Sequence, residues 1–300
     1  MAICRIQRGV KSVKNGLETP ARTRHHGFYT PESLHMIFHW LKRRRRAKLL
    51  SLPIPHDWLE ILNRNVTPYS VLSAEKKAKL VDCVRVFVAE KNWEGCNGLV
   101  VTDEMQVTIA GYACLLLLGM KHDYFSHVLS VLIYPTDYRA PVKGANIGGV
   151  VVESEDHRHG EAWYRGPVIL SWQEIQEDLA TPWDAQNLIL HEFAHQLDML
   201  DRDSNGTPPL ESRDLAIRWK TVMTAEFHQL IRDARRGRPT LIDTYGTTNA
   251  AEFFAVTTEC FFDAPWQLRQ EHPELYDLLS EYYGQNPADW PRTERVDHLP

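Results

Sequence analysis

The sequence predicts an α+β fold, mainly helical, with a small β-sheet beside one apolar helix. Three observations carry that expectation. Helical periodicity dominates residues 51–290, three short β-branched runs interrupt it between residues 128 and 172, and one apolar helix contains His191-Glu-Phe-Ala-His195. Hydrophobic residues at 43% and charged residues at 24% are the balance of a soluble globular chain, and 300 residues leave ample core. There is no repeat and no low-complexity linker, so residues 51–290 are expected to form one domain. Residues 1–50 then form a basic, largely disordered arm, and residues 291–300 a C-terminal tail.

Charge is divided unevenly along the chain. Residues 1–50 hold 12 Lys/Arg against Glu18 and Glu32, a local +10, while the remainder carries −15. An acidic body argues against nucleic-acid binding by the folded domain. Residues 1–35 show no periodicity, and Met36 reads as the true start, with residues 1–35 an over-extended reading frame. The Lys42–Lys48 run could touch RNA, DNA or anionic lipid, but a solvated arm is the simpler expectation.

From Ser51 the elements follow in order. Pro55–Leu62 suggests a short helix. Ser73 to Lys91 is an amphipathic helix with Leu80, Val84, Phe87 and Val88 on one face, and Thr102 to Leu118 a more buried one. Its apolar run, Ile109 to Met120, is about 12 residues, too short to span a bilayer. No transmembrane segment is expected. Val128–Tyr134, Ile147–Glu153 and Gly166–Trp172 read as strands, the last two flanking a polar loop with His157 and His159. Later helices are expected near Arg213–Arg235, Ala250–Phe262 and Pro273–Tyr283. The five cysteines are odd in number and widely spaced, and no secretory signal is visible. Both features fit a reducing cytoplasm with free thiols.

The apolar helix carries the chemistry. Thr181-Pro-Trp-Asp184 reads as its start, with Thr at N-cap and Pro at N1, and the pattern runs to about Leu200. Leu190, Phe193, Ala194 and Leu197 form one stripe. His191 and His195 lie one turn apart on another face, so both imidazoles can converge on one ion. Glu192, directly after the first histidine, can take a proton from a metal-bound water. This H-E-x-x-H pattern points to zinc hydrolysis with Glu as general base. A pair of hydrogen-bonded core histidines is the bland alternative.

A catalytic zinc needs a third protein ligand and an open position. Downstream candidates are Asp198, Glu252 and Glu259. Asp198 is one turn beyond His195, better placed to hold a histidine ring than to reach the ion. Glu252 and Glu259 are seven residues apart on one helical face, so either could ligate while the other orients. Asn249-x-x-Glu252 also reads as a capping box, which would give Glu252 a purely local role.

The segments His191-Glu-Phe-Ala-His-Gln-Leu-Asp198, Ile242-Asp-Thr-Tyr245 and Ala251-Glu-Phe-Phe-Ala-Val-Thr-Thr-Glu-Cys-Phe-Phe-Asp-Ala-Pro265 resemble the Mlc titration factor A family of bacterial zinc peptidases. The likeness extends upstream through Val131–Pro135 and Gly166–Trp172, and covers roughly residues 50–290. It implies a zincin-like metallopeptidase domain with a gluzincin-like site, related to the anthrax lethal factor catalytic domain. By that resemblance His191, His195 and Glu252 bind one Zn2+ per chain, Glu192 is the base and Tyr245 helps stabilise the transition state. It also implies a peptide substrate, aminopeptidase-like or short-peptide hydrolysis, and contact with a transcriptional repressor of the Mlc type.

Two competing readings stand beside this one. The chain could chiefly sequester a regulator, with the peptidase site secondary. It could also be a peptide deformylase-like hydrolase, because Glu94-Gly95-Cys96 matches that family's ligand segment, although it lies far upstream of His191. Gly166–Trp172 is a candidate edge strand for a substrate backbone to pair against.

Overall fold

A computed structural model describes residues 31–136, 145–147, 150–152 and 166–291. The loop histidines His157 and His159, residues 1–30 and residues 292–300 of the tail lie outside the described residues. By contact the chain divides at Arg45/Arg46, a point that helix α1 (Pro31–Leu50) runs across. Every later element belongs to the unit from Arg46 onward.

Helix α1 corrects the expected arm, because its second half is helix and not a disordered tail. Leu, Lys, Arg and Ala, which fill residues 41–50, are good helix formers. The end of α1 is also tied down. Arg85 donates to the carbonyls of Leu49, Leu50 and Leu52, and Arg46 bonds Glu90 at 2.7 Å through two nitrogens. Arg46 is therefore a packed, paired side chain and not part of a solvated run.

Next come α2 (His56–Asn65), α3 (Thr67–Val71) and α4 (Ala74–Glu90). Ser73 caps α4 by accepting from Lys76 N, and Leu80, Val84 and Phe87 of the expected face are fully buried. Strand β1 (Asn92–Gly95) leads to α5 (Asp103–Leu117), capped by Thr102 and buried on nearly every side. Strand β2 (Ser130–Tyr134) follows. Where a single strand is expected at 147–153, two are described, β3 (Ala145–Ile147) pairing antiparallel with β4 (Val150–Val152).

Strand β5 (Val168–Ser171) ends one residue before its expected limit. Trp172 opens helix α6 (Trp172–Ala180), because Ser171 accepts from Glu174 N and so caps it. The order β1-β2-β5 makes a small parallel sheet with β2 central and β5 at an edge. On β2, Val131 and Ile133 share one face and are fully buried, while Leu132 on the other face is half-buried.

The motif helix is α7 (Leu188–Asp198), continued by a 3-10 turn at Met199–Asp201. Helices α8 (Arg213–Arg235), α9 (Ala250–Asp263), α10 (Pro265–Glu271) and α11 (Pro273–Tyr283) complete the described chain. Helix α7 packs against α5, α9 and β5. Its Phe193 lies edge-on to Phe87 and Phe125, with centroids 5.6 and 5.0 Å apart, which fixes that face of α7 on the core. The opposite face is left to its histidines. The domain is thus mainly helical α+β, as the sequence predicts.

Candidate metal centre

Helix α7 does not begin at Thr181. Residues 181–187 form a loop in which Trp183 and Ala185 hold φ of +74° and +70°, a region that non-glycine residues rarely adopt. The loop persists because buried carboxylates over-determine it. Asp263 accepts from Ala185 N at 3.0 Å and also from Trp183 N, Glu259 accepts from Asn187 N at 2.7 Å, and Asp178 accepts from Leu188 N at 2.8 Å. Asn187 is the true cap, its side chain accepting from Leu190 N at 3.0 Å.

On α7, the rings of His191 and His195 lie one turn apart with their Nε2 atoms 3.2 Å from each other. Helix α9 brings in the third group. Asn249 caps that helix by accepting from Glu252 N at 3.0 Å, while the Glu252 side chain turns to the histidines. Its Oε2 lies 3.1 Å from His191 Nε2 and 3.3 Å from His195 Nε2. Only the Asn249 half of the expected capping box forms, so the Glu252 carboxylate faces the histidines and not the start of its own helix.

These donors suit zinc. A tetrahedral ion with bonds of about 2.0–2.1 Å has ligand–ligand edges of about 3.3–3.4 Å. The three edges here are 3.1, 3.2 and 3.3 Å, from two imidazole nitrogens and one carboxylate oxygen. Glu259 has a different place: its Oε1 lies 2.7 Å from His191 Nδ1. A carboxylate at Nδ1 favours the tautomer protonated there, which would present the Nε2 lone pair to an ion that displaces the second proton. The two glutamates that spacing could not separate thus sit on opposite nitrogens of one ring.

The electrostatics agree. Burial opposes charge on His191, but Glu252 and Glu259 outweigh it and lift its pKa to about 10. Burial likewise opposes charge on Glu252, yet the two histidines bring it down to about 2. The cluster is built to hold positive charge, which a proton or a divalent ion can supply in competition. Burial pushes the Glu192 carboxyl above the ordinary range; the histidines beside it resist that shift, and Glu252 and Glu259 reinforce it.

Tyr245 lies on a 3-10 turn, Thr244–Thr247, which Asp243 caps by accepting from Tyr245 N at 2.7 Å. A Cβ at Gly246 would come 2.6 Å from Val256 Cγ2, so only glycine lets this turn lie flat on α9. The Tyr245 ring centroid is 6.1 Å from that of His191, and the side chain is 54% exposed, within reach of solvent and of a bound molecule. Partial burial, then the charges of Glu252 and Glu192, raise its pKa above the usual value, so it remains a hydrogen-bond donor.

Asp198 departs from expectation. It does not hold a histidine ring but accepts from Gly206 N at 2.8 Å, tying down the loop that follows α7. Glu94, Gly95 and Cys96 lie at the end of β1, outside the group that could hold an ion. Among the described residues one other such group exists, His56, Asp57 and Glu60, and it is fully exposed. Sequence reasoning missed Asp178 and Asp263, whose role shows only once the 181–187 loop is folded.

A family model described as glucose-regulated metallo-peptidase M90 matches residues 39–284. An uncharacterized protein of Synechocystis is 39% identical over 250 residues, covering 83% of this chain and 90% of its own. Mlc titration factor A of Yersinia pestis and its namesake from Yersinia pseudotuberculosis are each 29% identical over 251 residues, covering 83% of this chain and 89% of theirs.

Proposed function

Because the chain belongs to the glucose-regulated metallo-peptidase M90 family, we propose that it is a zinc-dependent peptidase with one ion per chain, held by His191, His195 and Glu252. The observation that carries this is the convergence of two Nε2 atoms and Glu252 Oε2 at mutual distances of 3.1–3.3 Å from two separate helices. When bound, the ion supplies a Lewis acid that polarises the scissile carbonyl and makes water nucleophilic near neutral pH. Glu192 takes the proton of the attacking water and passes it to the leaving amine. Its raised pKa suits a group that must both accept and return that proton. Tyr245 donates to the oxyanion as charge develops. Glu259 keeps the His191 ring in the ligating tautomer. The edge of β5, against α7, offers a backbone ladder for an extended peptide.

Peptides are the substrate class, with aminopeptidase-like or short-peptide cleavage as the mode, and the free thiols Cys83, Cys96, Cys114 and Cys260 suit a cytoplasmic setting. Glu192→Gln is expected to lower turnover of a mixed peptide library by about 10²–10⁴-fold with zinc retained. Undiminished cleavage by that variant would remove Glu192 from the reaction.

A regulator-binding role is the second reading, favoured by the name of the Yersinia relatives, Mlc titration factor A. Capture of a transcriptional repressor from the source organism by the Glu192→Gln protein would separate that role from peptide cleavage.

A further inference from the structure

Helix α1 presents a surface that the peptidase chemistry does not use. At about 100° per residue, Trp40, Leu41, Arg44, Arg45 and Lys48 fall within an arc of about 140° on one side of it. All five are exposed, Trp40 at 56% and Leu41 at 47%. Lys42, Arg46, Leu49 and Leu50 lie on the other side and are half-buried, with Arg46 committed to Glu90 and Asp123. Within that arc the exposed face carries three cations beside two large apolar groups, and Arg43 and Ala47 at its margin are exposed as well. No Asp or Glu lies between Glu32 and Asp57 to neutralise it.

We propose that this face adsorbs the protein to an anionic lipid bilayer. Arg44, Arg45 and Lys48 answer the negative headgroups, and such a cluster on a helix gains affinity with each cation. Trp40 and Leu41, grouped at one end of the face, enter the headgroup boundary, where an indole is at home. A nucleic-acid face would have no use for Leu41, which offers neither charge nor a ring to stack on a base. Among the described residues no helix is long and apolar enough to cross a membrane, so attachment through α1 is peripheral. It would bring the peptidase to a surface without inserting it.

The test is co-sedimentation of the full chain with phosphatidylcholine vesicles, with and without about a third of phosphatidylglycerol. The protein should partition onto the anionic vesicles alone, and added salt should release it. Arg44→Ala/Arg45→Ala/Lys48→Ala should weaken partitioning about a hundredfold, and Trp40→Ser/Leu41→Ser about tenfold with the preference for anionic lipid kept. Both variants should keep the thermal midpoint and zinc content of the parent, since the altered side chains face solvent. Equal partitioning onto neutral vesicles, none onto either kind, or a triple variant that binds like the parent would each overturn the proposal. So would binding of polyuridine RNA through these residues without binding to vesicles.

Discussion

The two ends of helix α7 are held by different means. Before the helix, three carboxylates from α6 and α9 accept backbone N–H groups: Asp263 from Ala185, Glu259 from Asn187 and Asp178 from Leu188. After it, the helix's own Asp198 accepts from Gly206 N, and Gly206 O accepts from the Trp219 indole at 2.9 Å. Gly206 has φ of +74°, and a Cβ there would come 2.2 Å from Ala250 O. Ala250 opens α9, two residues before Glu252. The leading end is held by three carboxylates from two other helices; the trailing end depends on one, α7's own Asp198, which accepts from Gly206 N and Thr207 N, and Gly206 lies against the first residue of α9.

Gly206→Ala attacks the weaker end and should have the largest effect. The new methyl meets backbone that cannot rotate away, in a φ region unfavourable for alanine, so a loss of about 3 kcal/mol or more is expected in urea unfolding. Zinc affinity, read by chelator competition, should fall with it as Glu252 is pushed from the histidines. Unchanged affinity in a folded Gly206→Ala protein would mean that the glycine does not position α9.

Comparing single carboxylates sharpens the contrast. Asp198→Ala leaves Gly206 N buried and unpaired, for about 2–3 kcal/mol, whereas Asp178→Ala should cost about 1 kcal/mol because its neighbours still hold the loop. Equal losses would refute the asymmetry. The pH dependence provides a second check. Burial pushes Asp178 up to about 6, against the donor Leu188 N, so the folded state binds this proton more tightly than the unfolded chain. Its contribution to stability is then present below about pH 4 and lost as pH rises through about 6. The stability of Asp178→Asn relative to the parent should therefore improve across that interval.

Tyr245 belongs to neither end, and Tyr245→Phe should have the smallest structural effect. Stability and zinc content should stay at parental values while turnover falls about tenfold. An unaltered rate would place the hydroxyl outside the reaction.

What the sequence made legible followed its periodicities. His191, Glu192 and His195 could be placed because a spacing of four is one helical turn. The glutamate choice could not be made that way, since Glu252 and Glu259 share a face of α9 and are separated by about 10.5 Å along its axis. Only the position of the His191 ring between them assigns one to each nitrogen. Helix α6 did carry a local signal in Ser171-Trp-Gln-Glu174, hidden behind the β-branched run preceding it. Strand β1, Asn92-Trp-Glu-Gly95, has one large apolar residue and gains its strand character from pairing with β2. Helix α7 starts later than its sequence suggests because Thr181-Pro182, a sound local cap, is overruled by Asp178, Glu259 and Asp263 acting from other helices.

The most direct measurement is zinc content and affinity of the purified parent, Glu252→Ala and Glu259→Ala proteins. One zinc per chain in the parent is expected, with near-complete loss in Glu252→Ala. Glu259→Ala should keep the ion with affinity lowered about 10–100-fold, because it loses the support of a ligand and not a ligand. A parent without metal, or a Glu252→Ala protein that binds zinc more tightly than Glu259→Ala, would contradict the proposed centre.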